Sequence, residues 1–290
     1  MKNIRLRYWG GQNLGDYLSP FIISKLSGRP IKKYEYITSV DKKNINFKDY
    51  VKLNLKRLRQ TLFFFERHIL SVGSIIIYCN KKSLIWGSGF MNQNEHITHG
   101  GKFLAVRGKL TNKKIVNDGY EGCNVFGDPA LLLPLIIKPS FEKKYDLAII
   151  PHWKEYKYFK HKYGERFKIL DIRTIDVEYF IKELTSCKYI LSSSLHGVIL
   201  SHAYKIPALW IKHGYIDTDG FKFYDYFSSV AIPFYDGIED FGQYLENNNW
   251  KYLFEKHIIN ALPQIDISLI QKKLLDVAPF KVLGKYRNQQ

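Results

Sequence analysis

Between Tyr189 and Ile211 the chain spells out a strand, a polar turn, a helix and a second strand in close succession, the βαβ unit of a parallel sheet. Tyr189 to Leu191 is short, apolar and β-prone. Three serines, Ser192, Ser193 and Ser194, then close the strand and open a helix. His196 falls in or just after this turn, and Gly197 leaves the backbone without a Cβ, so that a ligand can approach. The helix Val198 to Tyr204 aims its N-terminal amides at that ligand, which suits an anion. Pro207 stops the helix and Ala208 to Ile211 reads as the next parallel strand. A lone histidine in such a turn serves either chemistry or the satisfaction of buried backbone groups.

The same alternation runs through the rest of the chain. Ile4 to Trp9 reads as a first strand, Gly10-Gly-Gln-Asn-Leu-Gly-Asp16 as a loop, and Tyr17 to Leu26 as an apolar-periodic helix. This loop either holds a phosphate or sugar at the helix N-terminus or is a plain tight turn in which Asp16 caps the helix. From Phe47 to Leu70 a basic segment mixes Lys52, Lys56, Arg57, Arg59 and Arg67 with Leu53, Leu55, Leu58, Leu62 and Phe63 to Phe65. It suits an anionic bilayer surface, and equally a core-packed helix with a solvated basic face. Ser71 to Tyr78 and Ser83 to Trp86 read as strands, the second ending in Gly87-Ser-Gly89. Phe103 to Val106 is a strand that delivers Arg107, and Gly108 to Val116 a helix after it. Arg107 is free to make a surface ion pair or, through its planar fork, to clamp a carboxylate or phosphate.

Lys138 to Lys144 is the best linker, and strand-helix alternation restarts at Tyr145 to Ile150. Two domains are therefore expected, residues 1–138 and 139–290, each Rossmann-like and doubly wound, facing one another across a cleft. In the second, His152 occupies a βα loop like that of His196. Lys212 to Tyr215, with His213, and Asp217 to Gly220 beside Phe221 to Phe227 complete the cleft. Phe241 to Leu253 and Ile265 to Leu275 read as helices, and Lys281 to Gln290 as a basic tail that frays.

Hydrophobic residues make up 46% of the chain, enough for substantial cores, and no apolar run is long enough to span a bilayer. The N-terminus lacks the pattern of a secretory signal, so a cytoplasmic location is expected. Cys79, Cys123 and Cys187 have no paired spacing, which indicates neither a disulfide framework nor a zinc site. With 44 Lys and Arg against 27 Asp and Glu, a formal charge of +17 calls for an anionic partner: a phosphorylated donor, a membrane surface or a nucleic acid. No nucleic-acid-binding signature accompanies the charge, and nucleic acid is therefore not expected.

Ser192-Ser-Ser-Leu-His-Gly197 with Ala203-Tyr-Lys-Ile-Pro-Ala-Leu209 resembles the C-terminal motif of the polysaccharide pyruvyl transferase family. Asn13-Leu-Gly-Asp16, and Val106-Arg107 with Phe126-Gly-Asp-Pro-Ala-Leu131, resemble two further blocks in the family's order. One departure is Ser194, where many members carry an arginine. The resemblance implies a two-domain arrangement of the GT-B glycosyltransferase type, and transfer of pyruvate from phosphoenolpyruvate to two hydroxyls of a sugar as a cyclic ketal. It implies a glycan or lipid-linked oligosaccharide as acceptor, and no cofactor or metal. On this reading His196 is the acid/base and Arg107 a catalytic and donor-binding residue. Ser192, Ser193, Ser194, Leu195 and Gly197 line the donor site, and Asn13, Gly15, Asp16, His152 and His213 the acceptor side of the cleft. A nucleotide-sugar glycosyltransferase and a non-catalytic glycan-binding protein are the competing classes.

Overall fold

The computed structural model describes residues 3–11, 13–34, 48, 50–52, 55, 66–214 and 216–287. Two parallel sheets organise it. The first joins β1 (Ile4–Arg7), β2 (Ile31–Lys33), β3 (His68–Leu70), β4 (Ser83–Trp86) and β5 (Lys102–Ala105) in the order β2-β1-β3-β4-β5. The second joins β6 (Tyr145–Ile150), β7 (Lys168–Ile169), β8 (Cys187–Ser192) and β9 (Ala208–Trp210) in the order β7-β6-β8-β9. Every ladder is parallel. The apolar run Leu147 to Ile150 is buried residue after residue, as strands covered on both faces must be.

The helices are α1 (Leu14–Ser27), α2 (Lys109–Asn117), α3 (Leu133–Ile136), α4 (Tyr156–Tyr163), α5 (Val177–Thr185), α6 (Leu195–Ala203), α7 (Phe221–Val230), α8 (Phe241–Glu246), α9 (Trp250–Lys256), α10 (Ile267–Asp276) and α11 (Gly284–Arg287). The architecture is mixed α/β, compatible with two Rossmann-like units. One apolar core nevertheless runs through both halves, taking Leu14, Leu18 and Ile22 of α1, Ala148 and Ile150 of β6, and Val198 and Ile199 of α6. Helix α6 is buried on all sides apart from His196, as a central helix requires. The Leu14 amide donates to the Ile172 carbonyl at 2.9 Å, tying the first glycine loop to the second sheet.

In both sheets the strand order reverses beside the first strand. The reversal lies between β1 and β3 in one sheet and between β6 and β8 in the other. Such reversals open a crevice beyond the strands' C-terminal ends, because the two flanking connections leave on opposite faces. The loops after β1 and β8 bear two of the three sequence motifs, the loop after β5 begins the other with Arg107, and the loop after β6 carries His152.

Several elements depart from their expected bounds. α1 and α6 each begin three residues early, at Leu14 and Leu195, so Asp16 and His196 lie in first helical turns. Asn13, not Asp16, caps α1, its side chain accepting from the Gly15 amide at 3.1 Å. Ser71 to Tyr78 is not a strand. β3 ends at Leu70, and a turn through Gly73 (φ 109°) leads to a 3-10 helix at Ile76–Tyr78. The expected helix from Phe241 to Leu253 is broken at Asn247-Asn-Asn249, where Asn248 takes a left-handed φ of 52°. Nor does the described part of the C-terminal tail fray. Val282 and Tyr286 are buried and the Leu283 amide donates to Leu26 at 2.9 Å. Lys56, Arg57, Arg59 and Phe63 to Phe65 lie outside the described residues.

Candidate functional site

One glycine, Gly15, lets the halves meet at a single point. A Cβ built on Gly15 would come within 2.3 Å of His196 Nδ1 and 2.5 Å of Cε1, so the imidazole lies directly on the first turn of α1. The other ring nitrogen, Nε2, is enclosed with no hydrogen-bond partner. Burial, then the charges of Lys222 and Arg107, lower the His196 pKa to about 3, so the imidazole is neutral at physiological pH.

Lys222, in the first turn of α7, is the cation at the centre of this region. Only 6% exposed, it has a pKa lowered to about 8 by burial and by Arg107, against the opposing pull of Asp217 and Glu155. Its charge also reaches His152, whose pKa burial and Lys222 bring down to about 4. The His152 Nδ1 and the Glu155 Oε1 are buried without partners, like His196 Nε2. Three unsatisfied polar atoms around one buried ammonium are costly in a closed core and fit a site that receives a polar ligand.

The serine turn holds this arrangement in shape. Ser192 Oγ lies 2.8 Å from the Ile150 carbonyl and 2.9 Å from that of Ser194, and accepts from the Ser194 amide at 3.1 Å. Ser193 Oγ donates to Glu155 Oε2 at 2.5 Å and accepts from the His152 amide at 2.8 Å, coupling the β6 and β8 loops. Ser194 precedes α6 without a capping side-chain bond, and Leu195 points into the core. A Cβ on Gly197 would lie 2.2 Å from Ser192 Oγ and 2.9 Å from Ile150 Cγ2. This glycine therefore lets helix and strand pack closely, rather than leaving room for a ligand.

Arg107 is fully buried and its fork is occupied. Nε donates to Asp225 Oδ2 at 2.9 Å, Nη1 to Ser74 Oγ at 2.7 Å and Nη2 to the Phe90 carbonyl at 2.5 Å. Gly89 makes room for it, since a Cβ there would come within 2.6 Å of Nη2. The structure thus brings the charge of Arg107 to His196 and Lys222, but commits its hydrogen bonds to the protein. A bidentate clamp on a donor is not available in this arrangement.

On the acceptor side, the first turn of α1 presents Asp16, whose pKa burial raises to about 7 against the pull of Lys33. Asn13 is occupied as the cap of α1. His213 stacks on Tyr158 with ring centroids 3.7 Å apart and lines a small cavity with Glu155 and Ser193. Of the expected residues, His152 and His196 thus converge with Lys222, Gly15 carries the His196 ring with Asp16 beside it in the same turn, and His213 joins them through Glu155. Sequence reasoning missed Lys222, Glu155 and Asp225. None stands in a motif, and Lys222 sits in an aromatic run where a buried and a solvated lysine read alike.

Residues 13–215 match the family model described as polysaccharide pyruvyl transferase. An uncharacterized protein of Acanthamoeba polyphaga mimivirus is 33% identical over 179 residues, which cover 58% of this chain and 62% of that protein. The chain therefore spans about 62% of the length of this curated relative. No solved structure matches. The family match ends before Lys222 and Asp225, so α7 adds its charges to the site from beyond the matched residues.

Proposed function

The chain belongs to the polysaccharide pyruvyl transferase family and is a transferase, and on that premise we propose that it moves pyruvate from phosphoenolpyruvate to two hydroxyls of one sugar. The sugar belongs to a surface polysaccharide or its lipid-linked precursor, and the product is a cyclic ketal. The observation that carries this reading is the convergence of a buried Lys222 and a neutral His196 with an unpartnered Nε2 on the glycine turn that bears Asp16. The doubly wound halves would face the cleft as in GT-B glycosyltransferases.

The donor is a small trianion, and Lys222 with the N-terminal amides of α6 offers it positive potential. Its negative charge offsets the field of Lys222 and Arg107, which adds to burial in holding His196 neutral, and so favours the protonated imidazole once donor is bound. His196 then delivers that proton to C3, which becomes a methyl group while C2 becomes electrophilic. The first hydroxyl attacks C2 as Asp16 takes its proton, the C2–O bond to phosphate breaks, and the second hydroxyl closes the ketal. In the balance, one hydroxyl proton ends on C3 and the other on the released phosphate.

Incubation of the full chain with phosphoenolpyruvate and glycan tests this. A glycan heavier by about 70 Da, with phosphate released only when acceptor is present, is the expected result. His196→Ala, with an unchanged circular dichroism spectrum, should yield no product. Release of a nucleotide from a nucleotide sugar, with no mass gain from phosphoenolpyruvate, would replace this reading with glycosyl transfer. Neither reaction would leave a binding protein.

A further inference from the structure

Trp86, Trp210 and Trp250 are core residues, whereas Trp9 is 63% exposed and Trp153 45%. Trp9 follows β1 at the first strand-order reversal and opens the glycine loop that ends at Asp16. Keeping a large apolar ring in water is unfavourable, and a scattered exposed aromatic needs no explanation unless its surroundings supply one. Here they do. The point where a Cβ of Gly11 would sit is 3.2 Å from Trp9 Cδ1, 3.3 Å from Nε1 and 4.0 Å from Asp16 Oδ2. The indole and the Asp16 carboxylate thus border one gap, left open by a glycine, and the next turn of the same loop rests on His196.

We propose that Trp9 is the platform on which the acceptor sugar stacks, its ring lying against the indole so that its hydroxyl pair faces Asp16. The inference rests on the pyruvyl-transfer reading above. A pyranose has one face of C–H groups and a rim of hydroxyls. An aromatic face beside a carboxylate matches both, since the ring takes the apolar face and the carboxylate accepts from a hydroxyl. The order along the loop is then platform, acid and base: Trp9, His196 resting on Gly15, and Asp16. Trp153 is the poorer candidate because it is already engaged. Lys154 Nζ lies 5.5 Å over its ring, and its indole is tilted against His152 at 5.7 Å. Among the described residues no ring or cation stacks on Trp9.

The test uses the full chain, with phosphoenolpyruvate as donor probe and methyl glycosides of glucose, galactose, mannose, N-acetylglucosamine and N-acetylmannosamine as acceptor probes. Binding is followed by saturation-transfer NMR and by calorimetry. We expect at least one glycoside to bind with saturation concentrated on its ring C–H protons. Trp9→Ala should weaken it by about tenfold or more, Trp9→Tyr by much less, and Trp153→Ala not at all. Phosphoenolpyruvate binding should stay unchanged in all three variants, which also reports that they are folded. If phosphoenolpyruvate binds but no glycoside does, or if a glycoside binds as well to Trp9→Ala as to wild type, the platform is overturned and pyruvyl transfer stands. If phosphoenolpyruvate itself fails to bind wild-type protein, the underlying reading falls, and the platform with it.

Discussion

Lys222 and Asp16 carry opposite shifts, and together they fix how the site responds to pH. Burial raises Asp16 to about 7, so the carboxylate proposed to accept a hydroxyl proton forms only as pH rises through that value. Burial lowers Lys222 to about 8, so the ammonium that attracts the donor is lost as pH rises through that value. For donor kcat/KM, which reports the free enzyme, the expected profile is a narrow bell with an acidic limb near 7 and an alkaline limb near 8. Lys222→Gln should remove the alkaline limb and weaken donor affinity by roughly tenfold or more, because a buried cation facing a trianion is lost. An alkaline limb that persists in this variant would take Lys222 out of donor binding. At this scale the sequence was half legible. His196 and Asp16 stand in motifs, where turn composition and glycine spacing mark them. Lys222 stands among Phe221, Phe223 and Tyr224, where nothing local distinguishes a buried ammonium from a solvated lysine.

Between elements, the pair Arg107 and Asp225 clasps the turn after β5 to helix α7. Asp225 Oδ2 also accepts from Thr111 Oγ1 at 2.7 Å and Oδ1 from the Thr111 amide at 2.7 Å, so the carboxylate caps α2 from a distance in sequence. Gly108 is required where the two meet, since a Cβ there would lie 1.8 Å from the Asp225 carbonyl oxygen. Asp225→Asn leaves the guanidinium uncompensated, and Arg107→Lys keeps the charge but loses the fork that makes three hydrogen bonds at once. We expect Arg107→Lys and Asp225→Asn each to lose about 3–5 kcal/mol of stability by urea unfolding. A shared loss identifies the clasp, because Asp225 brings no positive charge to a donor. If Arg107→Lys kept wild-type stability and only its donor KM rose, the arginine would return to the donor site. The elements themselves were legible wherever burial is one-sided or complete, as in β4, β6 and α10. They were missed at ends set by distant partners: α1 starts early because Leu14 bonds Ile172, and the C-terminal tail is ordered because Leu283 bonds Leu26.

For the molecule as a whole, alternation predicted two parallel sheets and could not predict that α10 returns to the first. Trp86 Nε1 donates to the Leu274 carbonyl at 2.9 Å and Gln271 Nε2 to that of Leu131 at 2.7 Å, contacts that span most of the chain. The remaining whole-molecule quantity is the charge of +17. Among the described residues no helix is long and apolar enough to cross a membrane. The basic groove lies away from Lys222 and His196. A cavity of about 490 Å³ at the N-terminal edge of β4 and β5 is lined by Arg67, Lys81, Lys82 and Lys102, with Asp276 as its acid. Arg67 is the last cation of the basic segment that begins at Lys52, and the cavity presents its cations on the side opposite the strands' C-terminal ends. A cation near an anionic leaflet gains about 1 kcal/mol, so a few suffice for reversible attachment, and salt screens them. We expect the protein to sediment with vesicles containing anionic lipid at about 0.02 M salt, and to be released at about 0.5 M. Neutralising Lys56, Arg57 and Arg59 together should abolish sedimentation, and the same changes should leave phosphoenolpyruvate affinity intact, since the proposed donor site is built from Lys222 and the first turn of α6. Sedimentation that survives those substitutions but not loss of Lys81 and Lys102 would move the attachment to the groove. Protein that stays in the supernatant at low salt would leave the acceptor to be met in solution.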